Sequence, residues 1–79
     1  MEDVNMNFDK ELDARGLACP MPIVKTKKAL AGMEAGQVLK IVATDAGSVS
    51  DMQAFAEATG HQLLSSQTQG KEYVFFLKN

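Results

Sequence analysis

Apolar and polar positions along this chain fall into blocks separated by turn-forming residues. Phe8 to Asp13 alternates, with Phe8 and Leu12 on one side and Asp9, Glu11 and Asp13 on the other, Lys10 interrupting the first set. That period of two predicts a strand. Arg15-Gly16-Leu17-Ala18 reads as a loop, and Cys19-Pro20-Met21-Pro22 opens a helical stretch to about Gly32. Proline suits the first helical turn, where its missing N–H would be unpaired anyway. The spacing places the buried stripe of this helix at Ile23, Val24, Leu30 and Ala31, with Lys27 at its edge. Gly32 and Gly36 supply stop signals.

Val38 to Thr44 is a nearly continuous apolar run broken by Lys40, the pattern of a central strand. Asp45-Ala46-Gly47 turns the chain. Ser48 with Asp51 three residues later resembles a capping box, and Val49, Met52, Phe55, Ala56 and Thr59 follow helical spacing as far as Gly60. Gln62 to Thr68 is a weaker strand, Gln69-Gly70-Lys71 a turn, and Tyr73 to Leu77 a β-rich strand, so the last two strands form a hairpin. The order is β-α-β-α-β-β. Two helices cannot cover both faces of four strands, so the expected class is α+β: a two-layer α/β sandwich, a four-stranded mixed sheet with two helices on one face.

With 79 residues the chain is one domain or less. Residues 1–7 are expected to be a mobile polar lead and residues 8–79 a single domain. A composition of 46% hydrophobic and 23% charged residues is that of a globular protein, not a disordered one. No apolar run approaches the roughly 20 residues of a membrane span, and Met1 to Asn7 lacks the layout of a signal peptide. The expected location is the cytoplasm, away from membranes. Net charge is −2, which gives nucleic-acid binding little support. The charge is unevenly spread: four basic residues (Arg15, Lys25, Lys27, Lys28) and no acid lie between Ala14 and Met33, while all ten acids lie elsewhere.

Cys19, the only cysteine, sits inside that basic segment. One cysteine and one histidine, His61, allow neither a disulfide within the chain nor a Cys/His zinc site, so no metal and no cofactor are expected. A free cysteine is often a small buried hydrophobe. At a strand-to-helix turn, however, the helix dipole favours the thiolate, the nucleophilic form. Pro20 and Pro22 remove two donors from that turn, leaving the N–H groups of Met21 and Ile23 for a sulfur anion. The turn is rigid and suited to presenting a thiol to other proteins. No general base accompanies it in sequence, because His61 follows a helix end and reads as a loop residue. Lys25, Lys27 and Lys28 are either a solvated helix face or a docking surface for an acidic partner. Met21, between the prolines, is expected to be exposed beside the thiol, whereas Met52 and Met33 read as core fillers. Asp45 lies where α/β sites gather, although a turn-forming aspartate has the same look.

Leu12-Asp13-Ala14-Arg15-Gly16-Leu17-Ala18-Cys19-Pro20-Met21-Pro22 closely resembles the signature of the TusA-like (SirA-like) sulfur carrier family, L-D-x-x-G-x-x-C-P-x-P. The resemblance runs from about residue 8 to 78, through Gly36, Asp45, Asp51 and Phe55. It implies a two-layer fold like the C-terminal domain of translation initiation factor three. It also implies that Cys19 carries sulfur as a persulfide, with Gly16, Pro20 and Pro22 shaping the presenting turn. The implied transfer is of sulfurtransferase type: from a cysteine desulfurase or rhodanese donor to a DsrE-like or TusBCD-like acceptor, for tRNA thiolation, molybdenum-cofactor supply or dissimilatory sulfur metabolism. Lys27 and Asp45 match a basic and an acidic position that the family uses near its partner surface; Met21, Lys25 and Lys28 are candidate partner contacts by their place near the thiol, and a small transient carrier is expected to be a monomer. The chain departs from the best-known carrier at Ala18, where that protein is basic, and at Ala58, where it is aromatic; both changes bear on the partner rather than on sulfur carriage. The rival readings are a protein-binding or regulatory module of the same fold and, by fold analogy alone, an RNA-binding one. A stand-alone hydrolase or redox enzyme ranks last.

Overall fold

The computed structural model describes residues 7–79. The lead expected over residues 1–7 lies outside them except for Asn7, which is exposed and outside regular structure. The elements are β1 (Lys10–Ala14), α1 (Met21–Ala31), β2 (Val38–Ala43), α2 (Ser48–Thr59), β3 (Gln62–Gln69) and β4 (Glu72–Lys78). They form one four-stranded mixed sheet in the order β1-β2-β4-β3. β1 runs parallel to β2, β2 antiparallel to β4, and β4 antiparallel to β3, with a register shift between Leu63 and Ser65. The α+β architecture expected from the hydrophobic pattern is the one observed. Among the described residues, no helix is long and apolar enough to cross a membrane.

The central pair β2–β4 is apolar on both sides because both its faces are covered. Leu39, Ile41, Ala43, Phe75 and Leu77 join Ala14, Leu30, Met52 and Ala56 in the core beneath the helices. Val42, Val74 and Phe76 form a smaller cluster on the opposite face, flanked by Val38 and Leu64. Alternation of side chains along a strand places these two sets on opposite faces.

The buried face of α1 keeps Leu30 and part of Ile23 from the stripe that the apolar spacing predicts, and departs from it elsewhere. Pro22, Thr26 and Leu30, spaced at i, i+4, i+8, face the core. Ile23 is only partly buried, Val24 is 49% exposed, and Ala31 and Lys27 are exposed. The reason is Thr26. Its hydroxyl donates to the Pro22 carbonyl at 2.8 Å, so a polar residue is buried with its hydrogen bond satisfied. Phe8 departs too. It precedes β1, and the chain bends at Asp9, which bonds Val38 through both its N–H and its carboxylate, each at 2.8 Å. Phe8 thereby crosses to the face opposite Leu12, where its ring lies 6.2 Å from Phe76 and 5.3 Å from the Lys40 ammonium.

The capping box read at Ser48 and Asp51 does not form. Gly47 is the N-cap and makes no side-chain cap bond, while the Ser48 hydroxyl donates back to the Asp45 carbonyl at 2.6 Å. The Asp51 side chain is left for another use. At the other end, Gly60 takes φ +82 and its N–H closes on Ala56. Asn79 fastens the end of α1, its side-chain amide donating to the carbonyls of Leu30, Met33 and Glu34.

The assignment of the α1 face is testable by paired substitutions. Thr26→Lys places an unpaired charge in the core and is expected to lower unfolding stability by about 3 kcal/mol or more. Val24→Lys, two residues away, is expected to change it by no more than about 0.5 kcal/mol. Urea unfolding of the two variants checks this. Equal losses in both would refute the assignment.

Candidate functional site

The parallel pairing of β1 and β2 brings the turns that follow them to the same end of the sheet. The Gly16 N–H donates to the Thr44 hydroxyl at 2.8 Å, which ties the two turns together. Gly16 has φ +79, a conformation that disfavours side chains by roughly 1 kcal/mol or more. Arg15, counted in the basic segment, bonds Glu72 at 2.7 Å and Asp13 at 3.2 Å, so it braces the end of β1 against β4.

Cys19 follows this turn and immediately precedes Pro20, the N-cap of α1; the bond joining the two residues is cis. The thiol is exposed. The donors expected to cradle a sulfur anion are already engaged. The Met21 N–H donates to the Ala18 carbonyl at 2.8 Å and the Ile23 N–H to the Pro20 carbonyl at 3.1 Å. Pro20 and Pro22 have none. The start of α1 therefore offers the sulfur no N–H group.

The sulfur instead faces α2 across a shallow hollow of about 390 Å³, formed by Cys19, Pro20, Ile23, Asp51, Ala54, Phe55 and Ala58. Asp51, Ala54, Phe55 and Ala58 stand at i, i+3, i+4 and i+7, one face of α2. The Asp51 carboxylate lines this hollow together with the thiol. Its hold on the thiol proton, partial desolvation of the sulfur and the negative charges of Asp51 and Asp45 raise the thiol pKa above its ordinary value. The lowered pKa expected from the helix dipole is thus overturned. With the backbone donors consumed, two carboxylates dominate the local field. Asp51 is the residue that sequence reasoning assigned wrongly. The signal lay in the small side chains at positions 54 and 58, which leave the α2 face open in front of it.

Met21 is 41% exposed beside the thiol, as expected, and with Val24 makes an apolar flank. The three lysines of α1 do not act together. Lys27 borders a hollow shared with Phe55 and His61, on the α2 side. Lys25 and Lys28 lie on the β1 side with Lys10. His61 is not a free loop residue. Its ring stacks on Phe55 with centroids 5.8 Å apart, leaving Phe55 between it and the Cys19 hollow. Among the described residues, no group of three or more His, Cys, Asp or Glu side chains gathers as a metal-ligand set.

The alkylation rate of Cys19 reports its thiolate fraction. A raised pKa keeps the thiol protonated at neutral pH, so the rate is expected to rise with pH to a midpoint above that of a free thiol. Asp51→Asn removes the negative charge beside the thiol and is expected to move that midpoint down. A pH–rate profile with iodoacetamide on both proteins checks this; an unchanged midpoint would disprove the role given to Asp51.

Comparison with known proteins agrees with this geometry. The family described as Sulfurtransferase TusA matches residues 10–79. The sulfur carrier protein TusA of Allochromatium vinosum is 51% identical over 72 residues, which span 91% of this chain and 95% of that protein. Bacillus subtilis YrkF, named as a candidate sulfur carrier, is 54% identical over 67 residues; they span 85% of this chain and 36% of the longer YrkF. The crystal structure of a SirA-like protein from Desulfitobacterium hafniense superposes with a TM-score of 0.78 at 29% identity, covering 89% of this chain and 96% of that one. A single exposed thiol on a proline-bounded turn, on this fold and across this length of match, leaves one conclusion about kinship: the chain belongs to the TusA family.

Proposed function

We propose that this protein is a cytoplasmic sulfur carrier that holds sulfane sulfur as a persulfide on Cys19 and passes it between partner proteins. The observation that carries the reading is the exposed Cys19 at the rim of an open hollow, within a chain half identical to a protein named as a sulfur carrier. A single free thiol also suits a reducing compartment.

The chemistry is two displacements at sulfur. Cys19 loses its proton, and the thiolate attacks the outer sulfur of a donor persulfide. The new S–S bond forms on Cys19 as the donor's S–S bond breaks, and the donor leaves as a thiolate. In the second half, an acceptor thiolate attacks that outer sulfur and the Cys19 thiolate leaves. Sulfane sulfur moves and nothing is oxidised or reduced overall. The Asp51 carboxylate beside the thiol favours its protonated form at rest. A basic side chain of a docked partner, set against Asp45 and Asp51, would lower the thiol pKa only within the complex. Donors of the cysteine desulfurase or rhodanese type and acceptors of the DsrE-like or TusBCD-like type fit this scheme. Met21 supplies the apolar contact and Ala54 and Ala58 the space. A monomer suffices, since the site lies within one chain. The destination of the sulfur is tRNA thiolation, molybdenum-cofactor supply or dissimilatory sulfur metabolism.

Intact mass after incubation with a cysteine desulfurase and cysteine is the test. The reduced protein should gain the mass of one sulfur atom, lose it to dithiothreitol, and gain nothing as the folded Cys19→Ser variant. If no sulfur is gained here or from thiosulfate with a rhodanese, the carrier reading fails in favour of a binding or regulatory module of the same fold.

A further inference from the structure

The sheet has two open edges, and they differ. β3 carries Gln62, Ser65, Ser66, Gln67, Thr68 and Gln69 and is broken by its register shift. β1 is regular over its length. The Asp9 N–H bonds the Val38 carbonyl, and a parallel ladder alternates. Asp9, Glu11 and Asp13 therefore turn their main-chain groups toward β2, and Lys10, Leu12 and Ala14 turn theirs outward. The Ala14 carbonyl is taken by Leu17 at 3.3 Å. Among the described residues, no strand pairs with the outward N–H and C=O groups of Lys10 and Leu12.

Beside this edge lies a hollow of about 420 Å³ formed by Lys10, Leu12, Lys25, Lys28 and Ala29. Leu12 and Ala29 give it apolar lining, and three lysine side chains border it. No carboxylate lines it, and among the described residues no ion pair involves these lysines. Glu11 and Asp13 point to the opposite face of the sheet. Lys25 and Lys28 lie about 6 and 10 Å along α1 from Met21, on the flank away from the Cys19 hollow.

We infer that the outer edge of β1, with the hollow formed by Lys10, Lys25 and Lys28, is a docking site for an extended acidic segment of a partner protein, which adds to the sheet as a fifth strand. Main-chain hydrogen bonds to Lys10 and Leu12 give the register. Alternate side chains fall into the hollow, carboxylates against the lysines and a small apolar group over Leu12 and Ala29. A nucleic acid would use the same ammonium groups but has no peptide N–H and C=O to match the strand edge. The site is separate from the sulfur chemistry and does not require Cys19.

The probe is a short synthetic peptide of alternating glutamate and threonine, titrated at low salt into the isotope-labelled full chain carrying Cys19→Ser. Saturable shifts, with slowed hydrogen exchange at the Lys10 and Leu12 amides, are the expected result. Lys25→Glu and Lys28→Glu are each expected to weaken binding about tenfold. Lys10→Pro should weaken it more than Lys10→Gln, since both lose the charge and only proline loses the outward N–H. Shifts scattered over all lysines without protection of Lys10 and Leu12 would overturn the proposal, as would affinity indifferent to both charge reversals. Tighter binding of a short single-stranded RNA to the same lysines would overturn it in favour of a nucleic-acid surface. Peptide binding without persulfide loading of the wild-type protein would leave this site standing and remove the carrier reading; the converse would do the reverse.

Discussion

The β2–β4 pair is the constraint on which the rest of the molecule hangs. Its residues are buried on both faces, with Ile41 opposite Phe75 and Val42 opposite Val74. A sheet with only two helices has no material to cover all four strands, so the apolar residues concentrate in the middle pair and the outer strands are half polar. That concentration fixes the register. A shift of one residue would exchange the two faces of the pair and place Phe75 and Leu77 away from the helices. With the register fixed, β1 is locked parallel beside β2, and the turns that follow them are held together at one end. The position of Cys19 is a consequence of this core.

The prolines beside Cys19 have a double effect. They make the turn rigid, and they leave the start of α1 without a free N–H, because the two remaining donors close on Ala18 and Pro20. The local charge is therefore set from across the hollow by α2, in Asp51 and Asp45. Reactivity is coupled to what sits in the hollow rather than to the helix that presents the thiol. For a group that must react with a chosen partner and ignore other thiols, control by the occupant of the hollow is a useful arrangement.

The order of elements, the hairpin, the turn bearing Cys19 and the exposure of Met21 were all legible in the sequence, because each depends on residues close together along the chain. The misread positions share a different cause. The stripe of apolar spacing in α1 passes over Thr26, a polar residue whose buried hydroxyl is satisfied by a carbonyl one turn back. Phe8 was placed by extending the alternation of a strand through a bend that Asp9 makes by bonding to β2, a contact of long sequence separation. Asp51 has the spacing of a helix cap, while its side chain lines a hollow with a sulfur 32 positions earlier in the sequence. The lysines at 25, 27 and 28 looked like one group because they are neighbours in sequence; at 100° per residue a helix points them to two flanks.

The Asp51 carboxylate beside Cys19 also bears on how long the protein survives in service. Oxidants attack the thiolate, not the thiol. A lone surface cysteine has no second cysteine in the chain to rescue a sulfenic acid by disulfide formation, so further oxidation to the sulfinic state would retire the molecule for good. Holding the proton on sulfur between encounters slows the first of these steps. A carboxylate that favours the protonated thiol would in this way also shield it from oxidants.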